Sequence, residues 1–129
     1  MNFLHSADWS FPIPIYYGPG RINDLPGFCK KRNISSPLIV TDNGSAELPF
    51  IKQILKNLDL LGIKYDLFSK ISPNPKDTEI EIGKSVFENG KHDGIIAIGG
   101  GSGMDGGKAI SLIAGQKEKL WNFDYNKPV

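Results

Sequence analysis

The sequence predicts an α/β fold in a single domain, with an open, mostly parallel sheet and helices on both of its faces. Two observations support this class. Apolar strand candidates alternate with amphipathic helix candidates along the 129 residues, and this order is typical of parallel strands joined by helical crossovers. A triple glycine, Gly99–Gly101, also joins an apolar run directly to a helix pattern. Ligands of such sheets bind beyond the carboxyl ends of the strands, so functional residues are expected there.

The first half of the chain contains an arm, two helix candidates and two strand candidates. Residues 8–17 are predicted to be extended, because two prolines alternate there with apolar residues. Helical spacing over residues 22–29 predicts a short helix, and residues 38–41 predict a buried strand. Residues 63–69 alternate as a half-exposed strand does. Between these two strands lies a helix with one apolar stripe, formed by Ile51, Ile54, Leu55, Leu58 and Leu61.

The second half is predicted to contain a helix, a strand and a last helix. Thr78 with Glu81 is a capping-box pair for a helix that runs to about Asn89. The β-branched run Ile95–Ile98 predicts a central strand covered on both faces.

The last helix follows the triple glycine. Ser102 is predicted to be its N-cap, with Asp105 three residues later completing a capping box. Its apolar face is predicted to contain Ala109, Leu112 and Ile113.

The composition excludes several classes of function. The net charge is +1 and the basic residues form no stripe along the sequence, so we expect no nucleic-acid partner. No apolar run approaches the ~20 residues of a membrane span, and no signal peptide is apparent. The single cysteine, Cys29, indicates a reducing, cytoplasmic compartment. Of the two histidines, His92 is expected at the surface, and we expect no metal site in this chain.

The triple glycine is the strongest functional signal. It lets another molecule approach the backbone closely, and the following helix N-terminus offers N–H groups and a positive dipole end to a phosphate. The alternative is a turn needed only for tight strand-to-helix packing. The spacing Gly101, Gly103, Gly106 has the literal form G-x-G-x-x-G, but it lies too late in the chain for the usual dinucleotide fingerprint. The hypothesis is a phosphate or dinucleotide site.

Two further loops gather at the same edge of the sheet. Asp42 follows a buried strand, where its carboxylate could bind an adenosine ribose and repel a 2′-phosphate, favouring NAD over NADP. Alternatively, it stabilises an Asx turn or caps a helix. Asn74 stands between two prolines and either offers its amide to a ligand or makes a turn.

The helix after the glycines leaves two more questions open. Gly106 and Gly107 each destabilise a helix by about 1 kcal/mol relative to alanine. Their presence indicates either that a ligand approaches the helix closely or that the helix packs tightly on the sheet. Lys108 either faces a phosphate or pairs with Asp105. No nucleophile, base and orienting residue form a convincing catalytic set.

Taken together, these motifs resemble the iron-containing (group III) alcohol dehydrogenase family. Its pattern G-G-G-S-x-x-D-x-x-K corresponds to residues 99–108. Its Val/Thr-Asp strand end corresponds to residues 40–42, its Pro-Asn-Pro loop to residues 73–75, and its entry motif F/Y-G-x-G to residues 17–20. The order and spacing agree over about residues 10–115.

The resemblance implies a Rossmann-like NAD(P)-binding N-terminal domain over residues 1–129, with NAD favoured over NADP. The family's iron or other divalent metal is held by a C-terminal helical domain, which this sequence does not include. Small alcohols or aldehydes would be substrates of the full enzyme, and an exposed domain face would favour a homo-oligomer. The cofactor-binding residues implied are Asp42, Asn74, Gly99, Gly100, Gly101, Ser102, Asp105 and Lys108.

Three alternatives to this interpretation stay open. One is a non-catalytic nucleotide-binding or interaction module, another is a dehydroquinate synthase or glycerol dehydrogenase-like relative, and the third is a phosphate-transfer enzyme. Against the third, no acidic pair is placed for magnesium.

Overall fold

The computed structural model of the chain describes residues 6–10, 13–124 and 126. It has a three-stranded parallel sheet, four α-helices and an N-terminal hairpin. No helix within these residues has the length and apolar character needed to cross a membrane. The elements in chain order are β1 (Ala7–Ser10), β2 (Pro14–Tyr17), α1 (Leu25–Lys31), β3 (Pro37–Asp42), α2 (Pro49–Leu60), β4 (Asp66–Ile71), α3 (Asp77–Asn89), β5 (Gly94–Ala97) and α4 (Gly101–Ile113), with 3₁₀ turns at Arg21–Asp24 and Leu120–Phe123.

The parallel sheet has the strand order β4-β3-β5, so β3 is the central strand. Leu38 pairs with Asp66 of β4 on one side and with Ile95 of β5 on the other. The prediction that Ile95–Ile98 forms the central strand is therefore wrong. All residues of β5 are half-buried, because it has a strand neighbour on one side only within the described residues. An apolar run indicates helices on both faces, but it does not reveal how many strands lie beside it.

Helices cover both faces of this sheet, as predicted. One core layer packs α3 and α4 on the sheet through Leu38, Val40 and Ile110. The opposite layer packs α2 on Ile39, with Ile54 at its centre. Because neighbouring residues of β3 point to opposite faces, both layers are built around this one strand.

In the described part of residues 8–17, residues 8–10 and 14–17 are extended, as predicted, and they pair with each other as antiparallel strands. The guanidinium of Arg21 ties β1 to the 3₁₀ turn, since it lies 2.7 Å from the carboxylate of Asp8 and 2.9 Å from that of Asp24. The ring of Tyr16 packs on Phe28 of α1, with 4.6 Å between ring centroids.

Polar contacts fasten the amino-terminal edge of the sheet. The carboxylate of Asp93 accepts hydrogen bonds from the backbone N–H groups of Ser35 and Ser36 at 2.8 and 2.9 Å. His92 is buried rather than at the surface, with its ring nitrogens 2.9 Å from the Ser36 carbonyl and 2.8 Å from the Asp66 carboxylate. These contacts join the segments that enter β3, β4 and β5.

The helix boundaries differ from the predictions at two capping sites. Helix α3 begins two residues earlier than Thr78 predicts, because Glu79, not Glu81, accepts the hydrogen bond from the Lys76 N–H, at 3.0 Å. Helix α4 begins at Gly101 with Gly100 as N-cap, so Ser102 lies inside the first turn. The sequence does not distinguish Glu79 from Glu81, because each lies three residues after a possible N-cap.

The buried face of α4 also differs from its prediction. Leu112 is 46% exposed, whereas Ile110 and Ile113 are fully buried. The buried residues follow helical spacing from Gly103 through Gly106 and Gly107 to these isoleucines. The glycines therefore belong to the face that packs on the sheet.

Candidate functional site

The candidate site lies where the order of strands reverses. Helix α2 carries the chain from β3 to β4 on one side, and α3 then carries it across to β5 on the other side of β3. The loops that follow β3 and β5 therefore diverge and leave a crevice at the carboxyl edge. Crevices at such switch points are where open α/β sheets bind ligands. The Asp42 loop and the Gly99–Gly101 loop form its two sides.

The glycine loop leaves its backbone open. A β-carbon placed on Gly100 or on Gly101 would have no atom within 4 Å. Neither residue needs a glycine-only conformation, whereas Gly99 has a φ of +133° and does need one. Glycine at positions 100 and 101 therefore serves neither internal packing nor backbone strain, and it leaves room for another molecule beside the loop.

The glycines inside α4 have the opposite surroundings. A β-carbon on Gly103 would lie 2.7 Å from the Ile98 carbonyl, one on Gly106 would lie 2.9 Å from Ile71, and one on Gly107 would lie 2.4 Å from the Ala97 β-carbon. All three positions are buried against the sheet. The question left open for Gly106 and Gly107 is thus answered by packing, because strand side chains occupy the space that a ligand would need.

The first turn of α4 supplies donors to the crevice. The first helical hydrogen bond runs from the Met104 N–H to the Gly100 carbonyl at 3.1 Å. The N–H groups of Gly101, Ser102 and Gly103 consequently have no partner within the helix. The Ser102 hydroxyl, which is half-buried, makes no hydrogen bond to the described residues and adds a further donor. Together with the helix dipole, these groups suit an anion such as a phosphate.

Asp42 lies directly across from the glycine loop. Its carboxylate accepts hydrogen bonds from the Ser45 hydroxyl at 2.7 Å and the Gly44 N–H at 3.1 Å, which is an Asx turn. The Ser45 hydrogen bond holds the pKa of Asp42 below its ordinary value. A β-carbon on Gly99 would lie 3.0 Å from Oδ1 of Asp42. The turn fixes an ionised carboxylate beside the loop, so the structural and the ligand-binding interpretations are compatible.

The other predicted site residues lie in the loop after β4 and further along α4. Asn74 is exposed in the loop after β4, on the far side of β3 from the glycines, and its side chain makes no hydrogen bond to the described residues. Asp105 is exposed one turn into α4. Lys108 is about 10 Å along the helix from Gly101, where it lines a cavity of about 300 Å³ beside β5. Asp105 and Lys108 form no ion pair with any described residue.

Thr41 belongs to the same crevice, although the sequence analysis did not select it. It is fully buried, and its hydroxyl has no hydrogen-bond partner among the described residues. A β-carbon on Gly99 would lie 3.5 Å from that hydroxyl. The available signal was a hydroxyl residue inside an otherwise apolar strand, immediately before Asp42.

The described residues do not fit a bound iron. Within residues 6–10, 13–124 and 126, no three His, Cys, Asp or Glu side chains come close enough together to hold a metal ion. The chemistry of such an ion is therefore not assigned to any of these side chains.

Comparison with known proteins identifies the family. The family model described as iron-containing alcohol dehydrogenase matches residues 12–129. The chain belongs to the iron-containing alcohol dehydrogenase family. It is 33% identical over 103 residues to lactaldehyde reductase of Escherichia coli K12, covering 80% of this chain but only 27% of that protein.

Solved structures of the family have the same fold. The crystal structure of a 1,3-propanediol oxidoreductase superposes with a TM-score of 0.78 at 33% identity, covering 82% of this chain and 28% of that one. An NADH-dependent butanol dehydrogenase of Thermotoga maritima gives the same TM-score at 25% identity, covering 87% and 28%. The chain therefore spans less than a third of the length of these relatives.

Proposed function

We propose that this chain is the dinucleotide-binding domain of an NAD-dependent alcohol dehydrogenase and that it binds the cofactor in the crevice between β3 and β5. The observation that carries the proposal is the contrast among the glycines: Gly100 and Gly101 face open space, whereas Gly103, Gly106 and Gly107 face the sheet. A diphosphate beside the open pair would meet the free N–H groups of the first turn of α4. The buried, unpartnered hydroxyl of Thr41 beneath the loop also fits a site that is completed by a ligand.

The carboxylate of Asp42 supports a preference for NAD. Because its pKa is lowered by the Ser45 hydroxyl, it stays ionised at neutral pH. An anion at the end of β3 can accept hydrogen bonds from the two hydroxyls of an adenosine ribose, and it repels the extra phosphate of NADP. Asn74, in the loop after β4, would contact the cofactor from the outer side. Asp105 and Lys108 would contact it from α4. The butanol dehydrogenase of Thermotoga maritima named above is NADH-dependent.

The reaction proposed for the whole protein is hydride transfer between a small alcohol or aldehyde and the nicotinamide. The names of the relatives reported above refer to such compounds: lactaldehyde, 1,3-propanediol and butanol. A divalent metal would polarise the alcohol oxygen in that reaction. Its ligands and the substrate contacts would come from a C-terminal domain beyond residues 1–129, so the role proposed for this chain alone is to bind and orient NAD.

Calorimetric titration of the 129-residue chain with NAD, NADP and ATP tests the proposal. We expect saturable NAD binding that Gly101→Val abolishes, because its side chain fills the open space beside the loop. The matched control is Gly27→Val, which adds the same side chain to another position with no atom within 4 Å, in α1. Equal NAD affinity in the two variants, or tighter binding of ATP than of NAD, would overturn the proposal.

A further inference from the structure

The hydroxyl of Thr41 is a buried polar group without a hydrogen-bond partner among the described residues. The residue is fully buried, and no described donor or acceptor reaches its oxygen. Buried hydroxyls nearly always have a partner, because leaving one unpaired costs free energy. Because this unpaired hydroxyl lies beside a candidate site, we expect its hydrogen bond to form in another state of the molecule.

Beside this residue, strand pairing ends on the β5 side and is interrupted on the β4 side, where it resumes at Asp42 and Ile71. On the β5 side the last contact is the hydrogen bond from the Ile98 N–H to the Val40 carbonyl, at 2.8 Å. On the β4 side the register shifts between Val40 and Asp42. Thr41 thus lies at the fork of the crevice, and its hydroxyl faces the underside of Gly99, where a β-carbon would be 3.5 Å away.

The peptide between Gly99 and Gly100 lies beside this hydroxyl and could supply a partner. The Gly99 carbonyl accepts no hydrogen bond from the described residues, whereas the Gly100 carbonyl is already used by the Met104 N–H. A peptide plane between two glycines can rotate without any β-carbon clash. Because the C=O and N–H of a trans peptide point in opposite directions, turning the carbonyl inward turns the N–H outward.

We propose that Thr41 is a positioning residue of the dinucleotide site. In the bound state its hydroxyl donates to the Gly99 carbonyl, and the Gly100 N–H on the other side of that peptide points at the cofactor's diphosphate. The ligand recognised through this device is the diphosphate, not the adenosine. The inference rests on the proposed function, and it adds a residue that never touches the cofactor itself.

Two substitutions separate this role from a merely structural one. Thr41→Val keeps the shape and removes the hydroxyl, whereas Thr41→Ser keeps the hydroxyl. We expect Thr41→Val to raise the thermal midpoint of the free chain, because an unpaired polar group is removed. The same variant should bind NAD and ADP about tenfold more weakly, the equivalent of one hydrogen bond. Adenosine affinity should change less than about twofold, and Thr41→Ser should bind all three ligands like the wild type.

Each outcome of the calorimetric comparison has a consequence. If Thr41→Val binds NAD and ADP as the wild type does, the inference is overturned and the proposed function stands. Equal weakening for adenosine and ADP also overturns it, since that result indicates general distortion. If the wild-type chain binds no NAD, both the inference and the proposed function are overturned. Should the valine variant not fold, Thr41→Ala takes its place: it must lose about tenfold in affinity for NAD and ADP, and Thr41→Ser must keep the affinity for both.

Discussion

Replacing Gly107 by alanine tests the packing of α4 on the sheet. The new β-carbon would lie 2.4 Å from the Ala97 β-carbon and 3.4 Å from its α-carbon. Since carbon atoms pack best at about 3.5–4.0 Å, the helix or β5 must retreat by more than about 1 Å. A backbone-attached methyl group cannot rotate away, so the overlap is relieved only by separating the two elements.

The expected magnitude follows from two opposing effects. Alanine in place of glycine gains about 1 kcal/mol of helix propensity. Overpacking of a close contact costs about 1–3 kcal/mol, and here we expect the upper part of that range, because retreat of α4 also loosens the buried contacts of Ile110 and Ile113. Gly107→Ala should therefore destabilise the chain by about 1–2 kcal/mol and lower the thermal midpoint by roughly 5–10 °C.

The assay is urea and thermal unfolding followed by circular dichroism. Gly27→Ala is the control, because it makes the same change in another helix where no atom lies within 4 Å, and it should not destabilise. The double variant Ala97→Gly/Gly107→Ala removes one of the two clashing methyl groups, so its loss should be smaller than the sum of the two single losses. If Gly107→Ala proves as stable as the wild type, the packing explanation for this glycine is refuted.

Two further predictions concern carboxylates. Hydrogen bonds from the backbone N–H groups of Ser35, which has the larger effect, and of Ser36 lower the pKa of Asp93 in the folded state. The stabilising effect of this carboxylate is therefore complete above its unfolded pKa of about 3.9, and it is lost as the pH falls through the lower folded pKa. Urea unfolding at pH 6 and pH 3 should show Asp93→Asn to be less stable than the wild type at pH 6 but less sensitive to acid; equal acid sensitivity would contradict this. Asp42→Asn keeps an oxygen that accepts from Ser45 while removing the charge, so the ratio of NAD to NADP affinity, measured by calorimetry, should fall about tenfold; an unchanged ratio would count against the ribose role.

Much of the fold could be predicted because local patterns determine it. Alternating strands and helices gave the parallel sheet, and the stripe around Ile54 gave a helix that the structure contains. Sheet order could not be obtained this way: apolar runs in β3 and β5 look alike, and only pairing distinguishes the centre from the edge. The burial of His92 depends on partners 26 and 56 residues away in sequence, which no local pattern contains.

The site could be predicted in part for the same reason. Gly99–Gly101 and Asp42 follow strand ends, and parallel topology brings strand ends together. The roles of Gly106 and Gly107 depended on what faces each missing β-carbon, which requires the positions of Ile71 and Ala97. Thr41 escaped notice because a hydroxyl inside a strand is common, and only the structure reveals that this one has no partner.

The most direct test of the central claim is to observe where NAD binds. Titrating the ¹⁵N-labelled 129-residue chain with NAD and recording amide spectra locates the affected residues. We predict that the amides of Gly100, Gly101, Ser102 and Asp42 shift together with one saturation curve, while Ser36, at the opposite edge of the sheet, does not shift. Shifts confined to the Ser36 edge, or a folded chain with no shifts at ten-millimolar NAD (roughly a hundredfold above a weak, 0.1 mM site), would contradict a dinucleotide site between β3 and β5.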